Sequence, residues 1–161
     1  MKVNTRSLLP ALVITLVWLN CGDGANPVAV DLSDPSTLRG TYKLISITDK
    51  SGENLPEDVT IVADQPTTVD LFGVPVTITI SGTLKLTDTR FTLTVTLKMS
   101  VPGLPEQTET ETATGTYSIN GSTFTITSDD PEVGTLVYTI TAQGLQIILE
   151  NDEERLVFEK Q

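Results

Sequence analysis

The stretch "VPVTITISGTLKLT", residues 74–87, alternates between aliphatic and polar side chains along almost its whole length. A second stretch, "FTLTVTLKMSV" at residues 91–101, follows a short "DTR" turn and repeats the same pattern. In a β-strand successive side chains point to opposite faces, whereas one face of a helix recurs every 3.6 residues. Threonine fills most of the polar positions, and its branched Cβ fits a pleated sheet. The two stretches therefore predict a long β-hairpin with one buried face and one solvated face.

The buried face of this hairpin supplies most of the residues that we predict to line the interior of the domain. They are the large apolar residues at alternate positions, namely Val76, Ile78, Ile80, Leu84, Leu86, Phe91, Leu93, Val95, Leu97 and Met99. Two tyrosines from other predicted strands, Tyr42 and Tyr117, complete the set. An eight-stranded barrel is just wide enough either to fill with its own side chains or to hold one small ligand. The same composition fits both cases, so a solid core and a ligand-binding cavity both remain open.

Turn signals divide the rest of the chain into further short strands. Asn120-Gly121 is a strong hairpin signal, and Gln143-Gly144 separates two later apolar stretches. Residues 33–40, "SDPSTLRG", predict one helical turn, and Gly82 predicts a bend or bulge within its long strand. Eight to ten strands joined by short connections form a meander, which avoids exposed edges when it closes on itself. We predict an all-β fold, an antiparallel up-and-down β-barrel.

Composition and charge exclude several classes of function. The chain of 161 residues has 21 acidic and 10 basic residues, and its net charge of −11 disfavours binding to nucleic acid. It has no histidine, which removes the most common general base and metal ligand, and its single cysteine excludes an internal disulfide. The acidic cluster at 129–132 lacks the spacing of a calcium loop. Glu109 and Glu111 are expected at the barrel rim. We predict no enzyme activity, no catalytic residue, no metal site and no cofactor.

The amino terminus has the features of a secretory signal. Lys2 and Arg6 precede an apolar run from residue 8 to residue 19, which is too short to span a bilayer of about 30 Å. Two residues after this run comes Cys21, the only cysteine of the chain. This arrangement resembles a bacterial lipoprotein signal, in which the cysteine is acylated and begins the mature chain. The resemblance implies that Cys21 is the lipidation site, and Gly22 after it favours the outer membrane.

The chain therefore divides into three predicted parts. Residues 1–20 are the signal peptide, and residues 21–37 are the lipidated cysteine with a flexible, small and polar tether. Residues 38–161 are the barrel domain. Removal of the signal would leave eight basic residues against 21 acidic ones, so the mature chain would carry a net charge of −13.

Three segments resemble the bacterial lipocalin-like lipoproteins. They are "DPSTLRGTYKLISITD" at 34–49, "TGTYSINGSTFTIT" at 114–127 and "RLVFEK" at 155–160. Gly40 and Tyr42 stand where lipocalins begin their first strand with a glycine and an aromatic residue. In lipocalins a basic residue packs across that aromatic ring, and the resemblance assigns this role by position to Arg155. It also implies a barrel interior that admits a small hydrophobic molecule.

Three functions follow as expectations from these observations. The first is a membrane-anchored lipoprotein of the cell envelope that binds or carries a small hydrophobic ligand. The second is a non-catalytic structural or interaction module with a filled barrel and an acidic face for an envelope protein partner. The third is a membrane-spanning barrel, against which the aromatic content of 5% argues, because two interfacial girdles need more aromatic residues.

Overall fold

A computed structural model of the chain describes residues 27–52, 58–71 and 73–161. The predicted signal peptide and Cys21 lie outside the described residues. Within the described ranges, no helix has both the length and the apolar character needed to cross a membrane.

The described part of the chain folds into one short 3-10 helix, Pro35–Leu38, and ten β-strands. In chain order the strands are β1 (Gly40–Asp49), β2 (Val59–Val62), β3 (Thr67–Leu71), β4 (Val74–Leu86), β5 (Arg90–Ser100), β6 (Gln107–Asn120), β7 (Thr123–Ser128), β8 (Thr135–Gln143), β9 (Gln146–Glu150) and β10 (Glu154–Lys160). The two alternating stretches of the sequence are β4 and β5, and they pair from Thr77 to Leu86 without a break in register. The predicted hairpin is confirmed.

Eight of the strands close into a barrel. Each strand from β4 to β10 pairs antiparallel with the next one along the chain, and β1 closes the sheet by pairing with both β10 and β4. Tyr42 of β1, for example, lies opposite Lys160 on one side and opposite Leu84 on the other. The remaining two strands, β2 and β3, lie between β1 and β4 in the sequence. Strand β2 pairs with β1, and β3 pairs with β4. The predicted antiparallel up-and-down barrel is confirmed.

The barrel has a filled end, where the 3-10 helix leads into β1. Asp34 caps this helix by accepting a hydrogen bond from the Ser36 N–H at 3.0 Å. Leu38, the last helical residue, is fully buried. Upstream, Val30 is also buried, and its N–H donates to the carbonyl oxygen of Gly144 at 2.8 Å. The folded body therefore includes Val30 and the first three residues of the helix, which belong to the segment predicted as tether.

The basic residue that packs on Tyr42 is Lys160. Its Nζ atom lies 5.9 Å from the centre of the Tyr42 ring and donates a hydrogen bond to the carbonyl oxygen of Thr37. Arg155 lies opposite Thr48, near the other end of β1, and its guanidinium pairs with Glu150 at 3.7 Å. The assignment of the stacking role to Arg155 is therefore wrong. The strand register puts the last residue of β10, not its second, beside the opening aromatic ring.

The irregularity of the barrel lies in β1 and not at Gly82. The register of β1 against β10 shifts between Leu44 and Ser46, whereas Gly82 pairs regularly with Val95. A Cβ atom on Gly82 would lie 3.4 Å from Cδ2 of Leu44 and 3.0 Å from the Thr94 carbonyl oxygen. The predicted bulge at Gly82 is wrong. The glycine instead avoids a tight contact with the Thr94 carbonyl oxygen, next to Leu44 where β1 separates from β4.

The apolar rows of the long strands point into the barrel. Val76, Ile78, Ile80, Leu84 and Leu86 are buried, and so is Phe91 at the start of β5. The largest fully buried side chains of the core include Tyr42, Phe124, Phe158 and Ile140. This apolar burial is the main source of stability for such a fold. The end opposite the 3-10 helix, where β1 finishes at Asp49 and β10 begins at Glu154, is less completely filled.

Candidate functional site

A cavity of about 240 Å³ occupies the less filled end of the barrel. Its wall is made by inward-facing side chains of β1, β5, β6, β7, β8 and β10 and by the loop between β7 and β8. The lining residues are Leu44, Ile47, Phe91, Leu93, Val95, Ala113, Ile126, Ser128, Val133, Gly134, Leu136, Tyr138, Glu154, Leu156 and Phe158. Ala113 and Val133 are exposed to solvent, so they mark the mouth of the cavity.

A smaller space of about 40 Å³ continues the cavity toward the filled end. It shares six residues with the main cavity, among them Phe91 and Tyr138, and adds Leu84, Phe124 and Leu149 from deeper in the barrel. Every residue that it adds is apolar. The interior therefore becomes both narrower and more hydrophobic with depth.

Four of the twelve predicted interior residues line the main cavity or its deeper extension. Phe91, Leu93 and Val95 form its β5 wall, and Leu84 lines the deeper part. The structure places these four together because they lie on the inner faces of two paired strands, with Leu84 opposite Leu93.

The other eight predicted residues lie elsewhere in the core. Tyr42 and Leu86 belong to the filled end, where the Tyr42 hydroxyl donates to the carbonyl oxygen of Leu38 at 2.7 Å. Tyr117 stacks on Phe124 with ring centres 5.4 Å apart. The remaining five are apolar residues in the parts of β4 and β5 beyond the cavity, namely Val76, Ile78, Ile80, Leu97 and Met99. They pack in the core and do not line the cavity.

Most of the residues that line the cavity are not among those that the sequence analysis assigned to the interior. Tyr138 and Glu154 are the polar members of this group, together with Ser128. Leu136, Tyr138 and Ile140 alternate along "TLVYTITA", the same period-two signal that marked the longer strands. That signal could have placed Tyr138 inside the barrel. The sequence has no comparable signal for Glu154, which precedes its strand's apolar residues in an acidic stretch.

Tyr138 and Glu154 form a hydrogen-bonded pair in the cavity wall. The Tyr138 hydroxyl donates to Oε1 of Glu154 at 2.6 Å, which joins β8 to β10 across the end of β9. Burial, together with this hydrogen bond to a carboxylate, raises the pKa of the Tyr138 phenol well above its ordinary value. The phenol therefore stays protonated, and remains a hydrogen-bond donor, throughout the physiological pH range.

The mouth of the cavity is acidic. Glu111 and Asp130 flank an outer groove that shares Ala113, Ser128 and Val133 with the cavity wall. Glu111 is exposed, as expected for a carboxylate at the rim. No arginine or lysine occurs among the described residues that line the cavity or this groove.

The basic residues near this end are engaged by other carboxylates. Lys50 and Arg155 both pair with Glu150, at 3.0 Å and 3.7 Å respectively. Arg90 binds Asp129, which also accepts a hydrogen bond from the Thr114 hydroxyl at 2.7 Å. Across the described ranges, no group of three or more metal-ligating side chains is close enough together to hold an ion.

Comparison with known proteins yields one structural similarity. No protein-family model matches the sequence, and no curated protein matches it. The structure is similar to the crystal structure of a lipocalin-like protein from Bacteroides uniformis ATCC 8492, with a TM-score of 0.46 and 12% sequence identity. The similarity covers 77% of this chain and 98% of that chain. The strand pairing of this chain by itself defines the barrel.

Proposed function

We propose that the protein is a non-catalytic, lipocalin-like lipoprotein that binds or carries a small, largely apolar molecule in the cell envelope. The observation that carries this proposal is the cavity of about 240 Å³ inside the barrel, walled mostly by aliphatic and aromatic side chains. Small-molecule sites are typically concave and apolar with a few polar groups that orient the ligand. Tyr138, Glu154 and Ser128 supply the polar groups here. A cavity in the barrel favours ligand binding over the alternative of a filled interaction module.

The size of the cavity limits the ligand. An apolar cavity of about 150 Å³ binds benzene, and drug-sized ligands need roughly 300–1,000 Å³. The space of about 240 Å³, with its deeper extension of about 40 Å³, lies between these values. We therefore expect a molecule somewhat larger than one aromatic ring, such as a ring with a short alkyl chain.

The anchor is the second part of the proposal. Acylation of Cys21 would hold the domain at a membrane, because each buried methylene contributes about 0.8 kcal/mol and several chains together bind durably. Gly22 supports the outer membrane as the destination. The acidic mouth of the cavity also offers a contact surface for an envelope protein. The net charge of −11 disfavours binding to nucleic acid.

Filling the cavity tests the binding proposal. The probe is 4-phenyl-1-butanol, a neutral ring with a short chain, titrated into the full chain in detergent with detergent alone as the reference. Leu136→Trp puts a larger side chain into the cavity wall and should reduce binding at least tenfold. Val137→Trp is the matched control, since Val137 is the next residue, lies 55% exposed and does not line the cavity.

Equal affinity of the two tryptophan variants would contradict the proposed site. Absence of binding to the unmodified chain would contradict the proposed function for ligands of this size.

Mass spectrometry of the protein extracted from bacterial membranes tests the anchor. We expect a mature chain that begins at Cys21 and carries the added mass of acyl chains, and a Cys21→Ser variant that leaves the membrane fraction. An unmodified Cys21, or cleavage at another residue, would disprove the lipoprotein assignment without affecting the binding result.

A further inference from the structure

We infer that the ligand of this cavity is an amphiphilic amine, whose ammonium group binds Glu154 while its apolar body enters the barrel. This inference rests on the proposed function, because it names the class of ligand for the same cavity. Three observations support it: the place of the Glu154 carboxylate, the charge around the cavity, and the position of Tyr138.

The first observation is a carboxylate in the wall of an otherwise apolar cavity. Glu154 lines the cavity beside Leu156 and Phe158, which follow it on the inner face of β10. Glu154 is only partly buried, and a carboxylate that is partly removed from water is stabilised by a nearby cation or by further hydrogen bonds. Among the described residues, Tyr138 donates to Oε1, and no lysine or arginine pairs with Glu154. In the described part of the chain no second side chain donates to this carboxylate, so Oε2 can accept a hydrogen bond from a ligand.

The second observation is the sign of the charge on the path into the cavity. Glu111 and Asp130 flank the outer groove, and Glu154 is the charged residue of the cavity wall. The basic residues near this end are already paired, Lys50 and Arg155 with Glu150 and Arg90 with Asp129. Clefts lined by one sign of charge concentrate ligands of the opposite sign. A cation is therefore favoured at the mouth, whereas Glu154 would repel the carboxylate of a fatty acid.

The third observation is the geometry of the pair. The Tyr138 hydroxyl lies 2.6 Å from Oε1 and fixes the carboxylate from the β8 side of the barrel. Tyr138 is itself buried, and its ring lines both the main cavity and the deeper extension. The ring would contact the apolar body of a ligand whose ammonium group binds the carboxylate. Tyr138 is thus a positioning residue for Glu154 and part of the apolar wall.

The test compares three probes that share a ring and a four-carbon chain and differ in the end group. They are 4-phenylbutylamine, 4-phenyl-1-butanol and 4-phenylbutyrate, each titrated into the full chain in a zwitterionic detergent with the detergent alone as the reference. A hydrogen bond to a charged group is stronger than one between neutral groups. We expect the amine to bind at least tenfold more tightly than the alcohol, and the carboxylate to bind least tightly.

Glu154→Gln identifies the group responsible. The variant keeps the shape of the side chain and removes its charge, so we expect the affinities for the amine and the alcohol to come within about twofold of each other. Glu153→Gln is the matched control, because Glu153 is the preceding residue, is exposed and does not line the cavity. This control should keep the preference for the amine.

The outcomes separate the inference from the proposed function. Equal binding of the amine and the alcohol to the unmodified chain would overturn the inference. An equal loss of the preference for the amine in the two glutamine variants would also overturn it. In both cases binding of the alcohol would still support the proposed function. Tighter binding of the carboxylate would also overturn the inference. Failure of all three probes would overturn both. The ranking of the probes on the unmodified chain decides the matter even where Glu154→Gln does not fold.

Discussion

Lys160 Nζ lies 5.9 Å from the centre of the Tyr42 ring, and the two residues are directly opposite each other on β10 and β1. The same ammonium group donates to the carbonyl oxygen of Thr37, and the Tyr42 hydroxyl donates to the carbonyl oxygen of Leu38. One pair of residues thus connects the last strand, the first strand and the 3-10 helix. Burial lowers the pKa of Lys160 and raises that of Tyr42, which is consistent with a shielded contact.

Removal of the Lys160 charge should destabilise the barrel. We expect Lys160→Met, which keeps much of the apolar stem, to lower the free energy of unfolding by about 1–3 kcal/mol through loss of the cation–π contact and the charged hydrogen bond. Arg155→Met should change it by less than about 1 kcal/mol, because the ion pair of Arg155 with Glu150 is solvent-exposed. Urea denaturation of the full chain measures both values. A larger effect for Arg155 than for Lys160 would contradict the stabilising role of the contact between Lys160 and Tyr42.

Gly115 is required for the close approach of β7 and of the Phe91 ring. A Cβ atom at this position would lie 2.1 Å from the Thr127 carbonyl oxygen and 2.6 Å from Cε1 of Phe91. We expect Gly115→Ala to cost at least about 2 kcal/mol, because overpacking forces the backbone and the ring to move. Thr116→Ala, at the next and exposed position of β6, should cost less than about 1 kcal/mol. Comparable melting temperatures for the two variants would contradict this role.

The three tyrosines should make the fold sensitive to alkaline pH. Burial raises the pKa of Tyr42, Tyr117 and Tyr138 above the ordinary value near 10. Above that pH the unfolded chain loses phenolic protons that the folded chain retains. The stability contribution is therefore complete below pH 10 and is lost as the pH rises toward the folded pKa values. Each tyrosine should lower the free energy of unfolding by about 1.4 kcal/mol per pH unit in that range.

Denaturant titrations between pH 9 and pH 11.5 measure this slope. Tyr138→Phe removes one of the three titrating groups and should make the slope shallower by about 1.4 kcal/mol per pH unit, whatever its effect on stability at neutral pH. An unchanged slope in this variant would show that Tyr138 does not contribute to the loss of stability at alkaline pH.

The free edge of β6 should be protected from self-association by its glutamates. Within the described residues, positions 107–113 pair with β5 on one side and have no strand on the other. Two copies pairing antiparallel about Thr110 would place Glu109 opposite Glu111, and like charges in that arrangement are destabilising. We expect the double variant Glu109→Val, Glu111→Val to self-associate at concentrations where the unmodified chain does not.

Analytical ultracentrifugation of the full chain in detergent compares this variant with Thr108→Val, Thr110→Val. The control also adds two valines to the same edge strand but keeps both charges. Self-association of both double variants to the same extent would assign the effect to hydrophobicity and not to the glutamates.

The sequence determined the class of fold because its signal is local. Side-chain alternation in β4 and β5 depends only on the period of two of an extended backbone, and the turn at Asn120 depends only on the preferences of neighbouring residues. Both features could be read without knowledge of any distant contact. Closure of the meander followed from the same pattern, since a sheet with one apolar face gains stability when that face is enclosed and removed from water.

The tertiary structure decided which of the inward-facing residues surround the cavity. Leu93 lines it while Ile78 packs beyond it, although both occupy alternating apolar positions, because strand stagger sets the depth of each residue in the barrel. The hydrogen bond between Tyr138 and Glu154 depends on two strands that are not neighbours in the sheet. The choice of Lys160 over Arg155 depends on the register of β10 against β1. Register and stagger arise from pairing between distant parts of the chain, and local sequence patterns do not contain them.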